Sequence, residues 1–412
     1  MPRSYFIIWG IFSNTVEFYN FALYSLFISV LGATFFPLDH PVFSQWSGLI
    51  TFSIGFLIAP FGAGFLGLIG DRYGRKQALK LAFLFISIPA FIIAFLPSYL
   101  SIGLIASVSV LGCRLLQGFS SGGEYNGIAI FTLEHLNIKR RGLFSSLVSC
   151  GAILGALLAS LLAVYLTGPH MPLYAWRWAF ACGGILAYVG FIIQKKLPET
   201  PCFQSPPLNK HLLPPIRTYY GQILIALIVG SMHGILSYIP LTFLNIYLCK
   251  VICLPLYDAV SLTATALLTC LILTPVSGLI FDKIKAYYAL IGACSLVIIL
   301  ALPIFSLIVT ETWNNLVLAE ILLGLLLASF IGIENAILYP LFKASDRYAS
   351  MSFWFCSGIA IFAPITPFIL LVLTTKKPLI WVGPLYLISC ALLAILLFFW
   401  KRSLFKESPE SP

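Results

Sequence analysis

Six ionisable residues lie inside long apolar runs: Glu17, Arg114, Glu124, His233, Glu320 and Glu334. A charge at the centre of a bilayer costs at least about 2.5–3.5 kcal/mol, so residues kept there pair with one another or serve a pathway. A carboxyl can take up and release a proton, and a guanidinium can hold a carboxylate. Arg114, Gln117, Ser121 and Glu124 fall within about 80° of azimuth on a helix. Ser13, Asn14, Glu17, Asn20 and Tyr24 share a face in the same way. The spacing predicts two polar-striped helices, with Glu17 as a proton-titrating carboxyl beside Arg114 and Glu124 as a second acid. Tyr19, Asn20 and Gln117 complete this set of substrate and coupling candidates. Glu320, Glu334 and His233 form a secondary set, for which buried pairing or packing is the plainer account.

A second constellation is Gly67-x-x-x-Asp71-Arg72-x-Gly74-Arg75-Lys76. Gly67 lets two helices approach, and Gly74 allows a tight reversal. Asp71 can pair with a basic residue across the loop or meet the positive N-terminal end of a neighbouring helix. Such a contact, broken and remade, is a latch between two conformations. The segment from Gly67 to Leu79 recurs 211 residues later from Gly278 to Leu290, with six of thirteen positions identical and Asp282 in the place of Asp71. Gly122-Gly123-Glu124 is echoed by Gly332-Ile333-Glu334 at an offset of 210. Duplication at half the chain length predicts two six-helix units in the same orientation, with a substrate site between the halves.

The elements that carry these residues are membrane spans. The 412 residues are 60% hydrophobic and 9% charged, with a mean hydropathy of +1.00. Soluble proteins carry about 25% charged residues, which excludes an ordinary globular domain. A span takes about 20 residues. Apolar runs at 5–31, 43–69, 77–96, 101–132, 143–166, 177–194, 219–248, 257–281, 286–309, 313–342, 351–373 and 379–400 give twelve. The expected fold is an all-α membrane protein with two pseudo-symmetric six-helix bundles, 1–196 and 218–412. The Pro-rich stretch 197–217 joins them as a linker.

Apart from Arg114, Arg177, Lys250, Lys376 and Lys377, the basic residues, 19 of 24, fall on one side of these spans. That asymmetry predicts a multi-pass protein with both termini cytoplasmic. It also accounts for the net charge of +10 without nucleic acid. The first run continues past Glu17 with no small-residue cleavage site, so it is read as a retained helix. Ten scattered cysteines without a C-x-x-C pair give no metal or disulfide framework. Gly118-Phe119-Ser120-Ser121-Gly122 matches the hydrolase pattern G-x-S-x-G, but it lies within a span rather than at a strand-to-helix turn. With no Walker loop either, neither an enzyme nor an ATP-driven pump is expected.

The Gly67–Lys76 loop resembles the signature loop of the major facilitator superfamily. Its company resembles the metabolite:proton symporter branch, which includes proline/betaine and α-ketoglutarate permeases. The matching stretches are Glu17-Phe18-Tyr19-Asn20-Phe21, Arg114-Leu115-Leu116-Gln117-Gly118 and Gly122-Gly123-Glu124. Arg141-Gly142, Trp176-Arg177 and Leu197-Pro198-Glu199-Thr200-Pro201-x-Phe203 also match, as do Leu341-Phe342, Arg347-Tyr348-x-x-Met351-Ser352, Phe362 and Pro364. The resemblance implies secondary transport of a small polar metabolite across a bacterial cytoplasmic membrane. It implies a proton as coupling ion, no other cofactor, and a monomer in the bilayer.

Two positions depart from that pattern. Members of the branch usually have Asp where this chain has Asn20, and Arg where it has Ala59 before Pro60. An acid and a base are missing together, as the loss of a charge pair would require. Arg114 then remains for a carboxylate, which favours a zwitterionic amino acid, a betaine or a monocarboxylate over a dicarboxylate. An exchanger or uncoupled facilitator for an organic acid is the rival reading, and a non-transporting membrane sensor a remote one.

Overall fold

A computed structural model describes residues 2–37, 41–136, 140–166, 170–203, 216–374 and 381–405. The linker prolines Pro206, Pro207, Pro214 and Pro215, and the basic residues Lys139, Lys210, Lys376, Lys377 and Lys406, lie outside them. The described residues are helical with no strand. A chain in lipid must satisfy its backbone internally, and a helix does so within one segment.

The first half opens with α1 (Arg3–Leu26), the short α2 (Ile28–Phe35), α3 (Pro41–Tyr73) and α4 (Arg75–Phe95). After the short turn α5 (Tyr99–Ile102) come α6 (Leu104–His135), α7 (Arg141–Leu166) and α8 (Trp176–Lys196). The second half has α9 (Ile216–Tyr238), α10 (Asn245–Lys250), α11 (Leu256–Phe281), α12 (Ala286–Val309), α13 (Trp313–Leu338), α14 (Arg347–Thr374) and α15 (Val382–Trp400).

Among the described residues, eleven helical segments are long and apolar enough to cross a membrane. The twelfth expected span is α1, whose 24 residues reach about 36 Å. Its polar stripe of Ser13, Asn14, Glu17 and Asn20 is buried and dilutes its hydropathy. Two expected spans are interrupted. The first stops at Phe27 (φ −99°, ψ 15°) before α2 begins. The seventh passes through a π turn at Ile239–Leu244 between α9 and α10. Pro240 cannot donate to the helical ladder, and a π turn is one way for a helix to absorb that loss.

The chain forms two compact units. The first comprises Met1–His135, Gly151–Leu213 and Ala344–Phe353. The second comprises Leu136–Cys150, Pro214–Lys343 and Trp354–Pro412. Thus α7 begins in the second unit and continues in the first, while α14 does the reverse.

Helix packing in lipid relies on small residues that let backbones meet. In the first unit, a Cβ on Gly118 would overlap the Gly55 carbonyl, and one on Gly122 the Ala59 carbonyl. The apparent hydrolase motif is therefore the contact between α6 and α3. In the second unit, Gly332 meets Thr274 and Ser277 of α11, and Ser277 donates to the Ala328 carbonyl at 2.8 Å. Gly122 and Gly332, the pair echoed in sequence, hold equivalent seams.

Candidate functional site

The deepest cation of the first unit is Arg114 on α6, with no solvent exposure. Its guanidinium lies 4.3 Å from the ring centre of Phe21, 4.7 Å from Tyr24 and 5.0 Å from Phe52. Such contacts are worth about 2 kcal/mol or more each when desolvated. Gly55 makes the room, since a Cβ there would sit 2.8 Å from Arg114 Nε. The aromatic residues of α1 and α3 thus form a box around the charge.

Glu17 and Glu124 are both buried, at 2% and 0% exposure. They come from adjoining helices, as Phe18 of α1 and Tyr125 of α6 meet edge to face at 5.5 Å. Each carboxyl lies within the electrostatic reach of the other. Ser120 Oγ is 3.4 Å from Glu124 Oε2. Among the described residues, Glu17 Oε2, Glu124 Oε1 and both polar atoms of the Gln117 amide have no hydrogen-bond partner. This is a cluster of polar groups in apolar surroundings whose hydrogen-bonding capacity is not used up.

Asn20 and Tyr19 face another helix. The Asn20 amide donates to the carbonyls of Val16 (2.9 Å) and Gly183 (3.2 Å), and the Tyr19 hydroxyl donates to Ala179 O at 3.0 Å. Both fasten α1 to α8. An Asp at position 20 would have no amide hydrogens to give these carbonyls.

In the second unit, His233 Nδ1 lies 2.8 Å from Glu334 Oε2, both side chains buried. The His233 ring also meets Phe355 edge-on at 5.4 Å. Glu320 is fully buried on α13, and among the described residues neither of its carboxyl oxygens has a hydrogen-bond partner.

The two copies of the repeated loop do equivalent work. Asp71, at the end of α3, accepts the backbone N–H groups of Tyr348 (3.2 Å) and Ala349 (2.9 Å) at the start of α14. Asp282, just past α11, accepts those of Gly142 (2.8 Å) and Leu143 (3.0 Å) at the start of α7. An anion at a helix N-terminus satisfies free N–H groups and the positive end of the dipole. A Cβ on Gly67 would overlap the backbone of Ala349, and one on Gly278 the Gly142 carbonyl. Gly74 has φ +103°, a conformation suited to glycine. Arg72 is half-buried at the end of α3.

Sequence reasoning passed over Glu134 here and gave no role to Glu199 or Tyr348, which it named only within matching stretches. Glu134 is buried at the end of α6 and pairs with Arg75 Nε at 3.1 Å and Arg347 Nη1 at 3.1 Å. Arg75 also reaches the carbonyls of Gly70 and Ala344, and lies 3.5 Å from Asp71. Glu199 accepts the Lys76 N–H at 3.2 Å, capping α4. The side chain of Tyr348 spans from Gly70 to Gly127. The available signal for Glu134 was an acidic residue next to the basic run Lys139–Arg141. On the opposite side, Arg177 closes α4 by donating to Ala94 O (3.0 Å) and Leu96 O (2.7 Å), with Trp176 beneath it at 4.7 Å.

Comparison with known proteins bears on this arrangement. A family model described as Major Facilitator Superfamily matches residues 50–331. A Staphylococcus aureus (strain COL) protein named for proline/betaine transport is 31% identical over 382 residues, 88% of this chain and 80% of that one. The Dickeya dadantii (strain 3937) glycine betaine/proline/ectoine/pipecolic acid transporter OusA is 28% identical over 93% of this chain and 80% of its own. The proton:xylose symporter XylE, bound to a bromodeoxyglucose, aligns with a TM-score of 0.75 at 14% identity, covering 98% of this chain and 95% of that one.

Proposed function

The chain belongs to the Major Facilitator Superfamily and is a multi-pass membrane transporter rather than an enzyme, and from that premise we propose that it imports a small zwitterion together with a proton. The observation that carries the proposal is the buried carboxyl pair Glu17 and Glu124, close enough to interact and incompletely hydrogen-bonded among the described residues. Two carboxyls in one apolar site disfavour double ionisation, so they bind and release a proton as a unit. Arg114, in its box of Phe21, Tyr24 and Phe52, is the group to receive the substrate's carboxylate. Phe18 and Tyr125, which follow the two carboxyls in sequence and meet edge to face, offer ring faces to the cationic end of the same molecule. A proline or betaine substrate fits this chemistry and agrees with the names of the relatives. Gln117 would orient the substrate, while Asn20 and Tyr19 hold α1 in register.

In this reading the Asp71 and Asp282 caps are the latches of alternating access between the halves 1–196 and 218–412. Gly67 admits the backbone contact, and Arg72, Gly74 and Arg75 shape the loop. The protein works as a monomer in a bacterial cytoplasmic membrane with both termini inside. Uptake of radiolabelled proline and glycine betaine into proteoliposomes tests the proposal. An inwardly directed proton gradient should drive accumulation, a protonophore should collapse it, and Glu17→Gln should remove the gradient dependence. Accumulation indifferent to the gradient would make the protein an exchanger or facilitator.

A further inference from the structure

Tyr348, the second residue of α14, contacts Asp71 directly and reaches Gly127, one turn from Glu124. Its backbone N–H donates to Asp71. Its ring lies against Gly70 on α3, where a Cβ would overlap it, and its hydroxyl lies against Gly127 on α6 in the same way. Gly127 is one helical turn from Glu124, on the same side of α6. The side chain has no solvent exposure, and among the described residues its hydroxyl has no hydrogen-bond partner. Nor has Glu124 Oε1. The charged groups acting on this hydroxyl are Glu124, Asp71, Glu17 and Arg75.

A buried hydroxyl and a buried carboxyl oxygen within about a turn of each other, both lacking partners, stand to gain by meeting. An ionised carboxylate is a much stronger acceptor than a protonated one. We infer that Tyr348 is a positioning residue that makes the hold of α14 on Asp71 depend on the charge of Glu124. With Glu124 ionised, the hydroxyl donates to it and the first turn of α14 is pinned at both its backbone and its side chain. With Glu124 protonated, the side-chain pin is released and only the Asp71 cap remains. Proton binding in the membrane is thereby passed to the latch through one side chain. This rests on the reading of Glu124 as part of the proton site, so the test separates the two.

The experiment is a double-mutant cycle on the full-length protein in lipid nanodiscs, with hydrogen exchange of the amides of residues 347–353 as readout. Glu124→Gln mimics the protonated acid and should lower protection there about five- to tenfold. In the Tyr348→Phe background, which keeps the ring against Gly70 and Gly127, the same change should have no further effect. No response to Glu124→Gln, or an equal response in both backgrounds, overturns the inference. In proteoliposomes, Tyr348→Phe should leave proline counterflow within about twofold of wild type while lowering gradient-driven accumulation about tenfold. Equal loss of both would make Tyr348 a packing residue and overturn the inference. If wild type does not transport proline, the function proposal fails on its own, and the exchange cycle still decides the link. Should Tyr348→Phe fold poorly, the response of wild type to Glu124→Gln alone can refute the link.

Discussion

At the scale of single residues, the charges near the ends of α3 and α6 differ in what their loss should cost. Asp71 makes two hydrogen bonds to a helix N-terminus, worth about 1 kcal/mol, and its neighbour Arg75, 3.5 Å away, keeps the closer Glu134 as partner when Asp71 is lost. Asp71→Asn should therefore lower thermal stability in detergent only slightly while impairing uptake. Glu134 is the buried partner of two guanidiniums. Removing one member of a buried pair costs about 3–5 kcal/mol, because the remaining charge is stranded. Glu134→Gln should accordingly lower the melting temperature far more than Asp71→Asn; the reverse order would show that the ion-pair cluster is solvated. Asn20→Asp should destabilise by about 1–3 kcal/mol. It would set a carboxyl against the Val16 and Gly183 carbonyls that now accept amide hydrogens. The sequence pointed to Glu17, Glu124 and Asp71 because ionisable groups stand out in apolar runs. It did not point to Glu134, and it named Tyr348 within a matching stretch without giving it a role. The partners of Glu134 arrive from positions 75 and 347, and a tyrosine near a membrane surface has an ordinary interfacial explanation.

At the scale of elements, the repeat explains why two distant segments do the same job. The Gly67–Asp71 and Gly278–Asp282 segments each close a helix and cap the start of another. Gly67→Leu and Gly278→Leu should each push the capped helix away and abolish uptake, measured beside expression level and size-exclusion profile to confirm folding. Only the first copy has the glycine at positive φ. Gly74→Ala should thus cost about 1–3 kcal/mol and also crowd the Glu199 carboxylate. Helix existence was legible from hydropathy alone. The break at Phe27 and the π turn around Pro240 were not, because both keep the chain apolar while changing only its hydrogen-bond register.

At the scale of the whole molecule, two exposed thiols report topology. Cys202 follows α8, and Cys253 lies between α10 and α11. With both termini inside, a membrane-impermeant maleimide on intact cells should label a variant retaining only Cys253 and spare one retaining only Cys202; the opposite pattern would invert the topology. Partial desolvation by the protein around it, aided by the Glu134 carboxylate, holds the Cys202 thiol above its ordinary value although the residue is exposed, so its labelling in permeabilised cells should accelerate as the pH is raised through the alkaline range. The polar stripe of α1 bears on how the molecule is made. A helix carrying Asn14, Glu17 and Asn20 is a poor client for the translocon by itself. The α8 groups that hold this helix come late in synthesis: the Asn20 amide donates to the Gly183 carbonyl at 3.2 Å, Trp9 donates to Gln194 at 2.8 Å, and Tyr19 donates to the carbonyl of Ala179. The first helix to leave the ribosome therefore waits for α8 before it can settle, and a nascent chain released before residue 194 should be recognised by membrane quality control as unassembled.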